Sequence, residues 1–255
     1  MAGRLIIVCQ HVADARNAEA GGADGIVLVG SRDGGGLSPA PDVVRDVRRA
    51  VVVDVRPLVK LRDGYSTDGG EATRLRGLIA DYRSCGADGM VMGFLNGRSE
   101  VDTEVLDLLL SDGEWPWTFH RGFDACLETA RAWRSLMALP RCDSVVTAGS
   151  VRDVEHGLDD LIRRARSDAR IAALMQAGGD LQPEHVPWLA RAGVSRFQIG
   201  TSVRPGRSWK AYVDPGLVRS WRSLIDDEVP HNSPGRPPHE SSLTDPPGSV
   251  DEGDQ

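Results

Sequence analysis

At 255 residues, 40% hydrophobic and 26% charged, the chain is long enough to bury a proper core as one large or two small domains, and its composition is ordinary for a soluble globular protein. No apolar run approaches the ~18–20 residues that span a bilayer, and "LIIVC" at residues 5–9 is too short for a signal-peptide core, so a cytoplasmic protein without a membrane partner is expected. The formal charge of −7 is uneven: residues 230–255 hold five acids and one arginine, leaving a nearly balanced body with no basic face for nucleic acid.

Taken in chain order, short β-rich runs occur at "RLIIVC" (4–9), "DGIVLVG" (24–30), "AVVVDVR" (50–56), "DGMVMGF" (88–94), "WPWTFH" (115–120), "DSVVTAG" (143–149), "RIAALMQ" (170–176) and "RFQIG" (196–200). Segments with helical spacing lie between them, among them "EATRLRGLIADYRSCG" (71–86), "LETARAWRSLMALP" (127–140) and "VRDVEHGLDDLIRRAR" (151–166). Such alternation predicts parallel βαβ units. "AGGADGIVLVG", "SCGADGMVMGF" and "RAGVSRFQIGT" repeat one grammar, a helix ending at glycine and then an apolar strand. Eight such units in residues 1–229 predict a single α/β domain, a (β/α)₈ TIM barrel. The structural alternative, a doubly wound open sheet, lacks the G-x-G-x-x-G expected after its first strand. From Pro230 onward six of the fifteen prolines crowd into an acidic tail with almost no large apolar side chains, which is expected to be disordered.

In such barrels the active site lies at the C-terminal ends of the strands. This places on one rim Cys9, Gln10 and His11 after the first strand, Asp33 after the second, Asn96 after the fourth, and Thr147 and Ser150 after the sixth. On the third strand Asp54 and Arg56 stand two apart and share a face. A carboxylate inside a valine run is costly unless paired, so the pair reads either as an internal ion bridge or as an anion-binding Arg56 with Asp54 orienting it or moving protons. "TFHRGFD" (118–124) brings His120 and Arg121 to the end of the fifth strand. Histidine titrates close enough to neutrality for acid/base work, Arg121 can clamp an anion, and Asp124 reads most simply as a helix N-cap. After strands seven and eight, "QAGGDLQPEHV" and "QIGTSVRPG" supply Gln176, Gly178, Gly179, Thr201 and Ser202, where barrels often bind phosphate through backbone N–H groups. Pro183 suits the first turn of a helix.

The four cysteines (Cys9, Cys85, Cys126, Cys142) form no C-x-x-C pair, so reduced thiols are expected. Thiolate and thioether select Cu(I), and Cys9, Met90, Met92 and Met175 fall on or at the ends of strands. Since cysteine and methionine are also ordinary core fillers, Cys9 alone is retained as a candidate metal ligand.

The segments "VCQHVADARNAEAGGADGIVLVG", "GGLSP", "VRP", "GADGMVMGFL", "TFHRGFD" and "TAGS" occur in an order that resembles the CutC-type copper homeostasis proteins, from about Leu5 to Ile225. The resemblance implies a cytoplasmic, often homo-oligomeric (β/α)₈ barrel linked by name to copper. By motif it carries the family's cavity arginine to Arg56, its histidine–arginine–aspartate to His120, Arg121 and Asp124, its strand cysteine to Cys9 and its strand threonine to Thr147. It also implies glutamates where this chain has Ile7 and Val27, a cysteine where Val29 stands, and a histidine around Gln198–Ile199. Asp54 appears where the family usually has an apolar residue. Fewer carboxylates beside Arg56 and Arg121 predict a more positive cavity and an anionic ligand. Three functions stay open: a copper(I)-binding homeostasis protein centred on Cys9, an enzyme acting on a small anionic or phosphorylated metabolite through His120, and a catalytically silent binding protein.

Overall fold

The computed structural model describes residues 2–31, 35–111, 113 and 115–229; the expected disordered tail and Asp33 lie outside the described residues. Eight parallel strands form one sheet: β1 Arg4–Cys9, β2 Gly25–Leu28, β3 Asp54–Pro57, β4 Met90–Met92, β5 Trp117–Phe119, β6 Cys142–Thr147, β7 Met175–Gly178 and β8 Arg196–Ile199. Their order is β3-β2-β1-β8-β7-β6-β5-β4. The two ends meet through a parallel bridge between Leu58 and Val91, with Val59 N–H donating to the Val91 carbonyl at 2.8 Å. The sheet therefore closes into the expected barrel, which leaves no edge strand exposed among the described residues.

The helices α1 Val12–Ala20, α2 Pro41–Ala50, α3 Gly69–Ser84, α4 Thr103–Leu110, α5 Thr129–Ala138, α6 Val154–Ser167, α7 Ala169–Leu174, α8 Val186–Arg191 and α9 Pro215–Glu228 surround it. Aspartates start several of them: Asp68, Asp102, Asp153 and Asp214 each accept a backbone N–H of the first turn of α3, α4, α6 and α9. Among the described residues no helix is long and apolar enough to cross a membrane.

Two expected strands shift. In "RIAALMQ" the Asp168 carboxylate caps the N–H of Arg170, so the alanine-rich stretch turns into α7 and the strand begins only at Met175. In "AVVVDVR" the valines end α2 and link it to β3, with Val52 exposed, and pairing starts at Asp54.

Alternation along the strands sorts side chains into two layers. Leu5, Ile7, Cys9, Ile26, Leu28, Val55, Met90, Met92 and Phe119 join the large core between barrel and helices, where Trp117 and Trp133 are fully buried. Ile6, Val8, Val27, Val29, Leu58 and Val91 form a separate cluster inside the barrel.

Candidate functional site

The barrel interior differs from end to end. At the N-terminal end it is closed by charges from Arg4, Asp54, Arg56, Asp143 and Arg196. Arg56 donates from Nε to Asp54 at 3.1 Å, from Nη1 to Asp143 at 2.6 Å and Thr118 at 3.0 Å, and from Nη2 to Asp143 at 2.8 Å. Asp143 reaches it because the β5–β6 register shifts by one residue there, opposing Cys142 to Trp117 but Ser144 to Thr118. Against the effect of its burial, Asp143 and Asp54 hold the guanidinium charged. The ion-bridge reading of Asp54 and Arg56 therefore describes their geometry. They lie in the layer at the opposite end from the large cavity and do not line it, so neither the proton-moving nor the anion-clamping role is available to them there. Gln176 belongs to this lower layer as well, propping Gln198 through a 2.9 Å hydrogen bond.

Toward the C-terminal ends of the strands the interior opens into a cavity of about 540 Å³. Its floor is aliphatic, formed by Val8, Val27, Val29, Leu58, Val91 and Val146. Its walls carry Lys60, Tyr65, His120, Arg121, Gln198 and Trp209. This apolar base with a few convergent polar groups is the ordinary make-up of a small-molecule site.

His120 ends β5 almost fully buried, and its Nδ1 accepts the N–H of Gly122 at 2.9 Å. Burial, with repulsion from Lys60, pushes its pKa down to about 4. The ring is thus neutral near pH 7, with its proton on Nε2. Gly93 and Gly122 are required beside it, since a Cβ on either would come within 2.9 Å and 2.6 Å of ring atoms. Arg121 donates to Asp124 at 2.9 Å and to the carbonyls of Ser150, Val151 and Arg152, tying the β5 end to the β6 loop. Asp124 is not the expected helix cap: α5 starts five residues later, after Glu128. Its carboxylate instead accepts from Thr147 Oγ1 at 2.5 Å and from the N–H of Ala148 at 3.0 Å, pinning the end of β6. Burial raises its pKa, opposed by these same hydrogen bonds. Thr147, itself buried, acts through Asp124.

The remaining expectations divide. Gly179, at φ +109°, lies against the Arg121 guanidinium, where a Cβ would be 2.7 Å from Cζ. Thr201 and Ser202 stand in a short 3-10 turn, Thr201–Val203, on the cavity wall, and Gly178 packs on Gln198 below it. Asn96 is spent within its own turn, accepting the N–H groups of Arg98 and Glu100. Cys9 faces the helices rather than the cavity, fully buried, and its thiol pKa is raised by burial and then by Asp14. Met90, Met92 and Met175 lie in the same outer layer, and no group of three or more His, Cys, Asp or Glu among the described residues is placed to hold a metal. Of the two positions where the resemblance implies glutamate, Val27 faces the interior whereas Ile7 faces outward; Ile6 is the inward neighbour. Nor is the wall simply more positive: Lys60, Arg121 and Arg152 share it with Asp124, Asp153 and Asp180.

Four residues escaped the sequence reading. Lys60 lies four positions beyond Arg56, and its backbone is held by Ser38 of "GGLSP", whose Oγ accepts its N–H at 2.8 Å. Tyr65 places its ring 5.2 Å from Lys60 Nζ and 5.4 Å from the His120 ring. Asp14 and Arg204 form a buried bidentate pair at 3.2 and 2.8 Å, and Arg204 stacks under Trp209 at 4.8 Å. The signal for Lys60 was compositional: the chain has 30 basic residues, of which only Lys60 and Lys210 are lysine.

A closed parallel barrel with its cavity at the C-terminal ends of the strands defines a (β/α)₈-barrel protein, the cavity lying at the end where such barrels carry their sites. Among solved structures it is similar to a candidate copper homeostasis protein CutC from Streptococcus agalactiae, with a TM-score of 0.68 at 19% identity over 78% of this chain and 98% of that one. It is also similar in fold to a thiamine phosphate pyrophosphorylase from Pyrococcus furiosus, with a TM-score of 0.58 at 12% identity over 89% and 97%. CutC family proteins of Klebsiella pneumoniae strain 342 and Citrobacter koseri are each 33% identical, the first over 74% of this chain and 76% of its own length, the second over 88% and 89%. The CutC family pattern matches residues 4–202, and the chain belongs to the CutC family.

Proposed function

We propose that the protein binds and transforms a small anionic metabolite in the C-terminal cavity. The observation that carries this reading is the convergence of His120, Tyr65, Lys60 and Arg121 on one cavity with an aliphatic floor. A ligand's apolar body rests on Val8, Val27 and Val91, while its anionic group meets Lys60 and the guanidinium of Arg121. The cavity carboxylates are already engaged by protein partners: Asp124 by Arg121 and Thr147, Asp180 by Arg207, and Asp153 by the start of α6. His120, neutral and protonated on Nε2, serves as a hydrogen-bond donor that polarises the reacting group. Arg121 orients the site, with Asp124 and Thr147 fixing it in turn. The loops carrying Gly179, Thr201 and Ser202 form the rim on the β7–β8 side.

Copper handling, which the Streptococcus relative's description brings, would require soft ligands. Here the sulfurs of Cys9, Met90, Met92 and Met175 belong to the outer core, so the cavity does not fit a thiolate-bound Cu(I) and no step is routed through one.

Native mass spectrometry of the protein as purified from cells tests the reading. A retained anionic metabolite, converted by the wild type and held unconverted by His120→Gln, supports it. Equal turnover by the variant removes His120 from the chemistry. A stoichiometric Cu(I) adduct lost in Cys9→Ser would instead restore the copper reading.

A further inference from the structure

We propose that Lys60 is a covalent catalytic residue, whose amine condenses with the carbonyl group of a small anionic aldehyde or ketone held in the cavity. The inference rests on the cavity being a small-molecule site and adds the chemical class of its substrate.

The choice of side chain is the first observation. This chain uses arginine for 28 of its 30 basic residues, and one of its two lysines is the one that faces the cavity from the end of β3. A guanidinium stays protonated and cannot act as a nucleophile, whereas a buried ammonium gives up its proton readily. Lys60 is 5% exposed, and burial lowers its pKa, with Asp63 opposing.

Position is the second observation. Ser38 accepts the Lys60 N–H at 2.8 Å, and its own N–H donates to the Lys60 carbonyl at 2.8 Å, so both backbone groups of Lys60 are clamped. The "GGLSP" segment thereby fixes the root of the side chain. A built Cβ on Gly35 would lie 3.9 Å from Nζ, in ordinary van der Waals contact, so this loop passes directly beside the amine. The Tyr65 ring neighbours both the amine and His120, 5.2 Å from the one and 5.4 Å from the ring of the other.

The step balances without an outside oxidant or reductant. The Nζ lone pair attacks the carbonyl carbon, and the C=O π electrons move onto oxygen. The two amine hydrogens pass to that oxygen through the Tyr65 hydroxyl, which gives up its own proton as it accepts one, and leave as water as the C=N bond forms, with His120 Nε2–H hydrogen-bonded to the oxygen. The carbonyl carbon and the nitrogen keep their oxidation states. Once formed, a protonated imine draws electrons from the adjacent carbon, the usual use of a lysine Schiff base.

The test incubates the full-length protein with pyruvate and sodium cyanoborohydride, which delivers hydride to the imine carbon and fixes it as a secondary amine. Lys210 is the built-in control, being exposed and outside the cavity lining. The expected result is one reduced pyruvyl adduct, mapped by peptide mass spectrometry to Lys60 and formed there faster than at Lys210, since a lowered amine pKa raises the neutral fraction. Lys60→Arg abolishes the adduct and Lys210→Arg leaves it unchanged. Labelling of Lys210 alone, of both lysines at similar rates, or of neither overturns the inference. Calorimetric titration with pyruvate, without reductant, on wild type and Lys60→Arg separates the two levels. Binding without trapping overturns the covalent role and leaves the cavity reading standing, whereas neither binding nor trapping counts against both for this class of ligand.

Discussion

Replacing Arg204 by alanine exposes the cost of the buried pair that lies against Trp209 of the cavity wall. Asp14 is fully buried and accepts two bonds from Arg204, at 2.8 and 3.2 Å, together with the backbone N–H groups of Gln10 at 3.0 Å and Val213 at 2.9 Å. Arg204 also donates to the carbonyls of Val8 and Ala211, so it ties β1, α1 and the segment before α9 together. Without the guanidinium the carboxylate keeps its two N–H donors but loses its counter-charge in a site closed to water. Breaking such a pair from one side costs about 3–5 kcal/mol. For a domain of this size that lowers the melting temperature by roughly 6–20 °C, at about 2–4 °C per kcal/mol. Urea unfolding of Arg204→Ala, Asp14→Ala and the double variant measures it. The double variant is expected to lose less than the sum of the singles, because the second removal takes away a charge already stranded by the first. A single-variant loss below about 1 kcal/mol, or strict additivity, would refute the reasoning.

Three further outcomes follow from the geometry. An unfolded histidine titrates near 6.5 and His120 near 4, so between those values the unfolded chain takes up a proton that the fold resists. Its contribution is fully present above pH 6.5 and falls by roughly 3 kcal/mol as the pH drops toward 4; unfolding curves of His120→Gln should lack this part of the acid loss, and a matching acid slope in the variant would count against it. Thr147→Val removes the 2.5 Å hydrogen bond to Asp124 and should cost about 1.5–3 kcal/mol, measured by urea unfolding. Asp143→Asn weakens the network around Arg56 at the N-terminal end and should lower stability while leaving ligand affinity in the C-terminal cavity unchanged by calorimetry.

Much of the architecture was legible in the chain. Strand–helix alternation and the glycine-ended repeats carried the barrel, because each βα unit must bury one helical stripe against a strand. The placement of His120 and Arg121 on the rim followed from the strand-end rule. Asp124 was misread, because its neighbours in sequence offer a helix to cap while its partners, Thr147 and Ala148, lie more than twenty residues on. Lys60 left no motif: Tyr65 shares its loop after β3, but the spacing carries no signature, and His120 comes from the end of β5.

What the sequence determined by itself is the order of strands and helices and the face-sharing pairs such as Asp54 and Arg56. These depend on local backbone geometry and periodicity. What only the tertiary structure decided is which face of each strand looks inward. Barrel strands are apolar on both sides, so alternation alone does not distinguish Cys9, turned to the helices, from Val8, turned to the cavity. The same holds for partners: Arg56 binds Asp143, 87 residues away, only because closure of the sheet and a one-residue register shift bring that carboxylate beneath it.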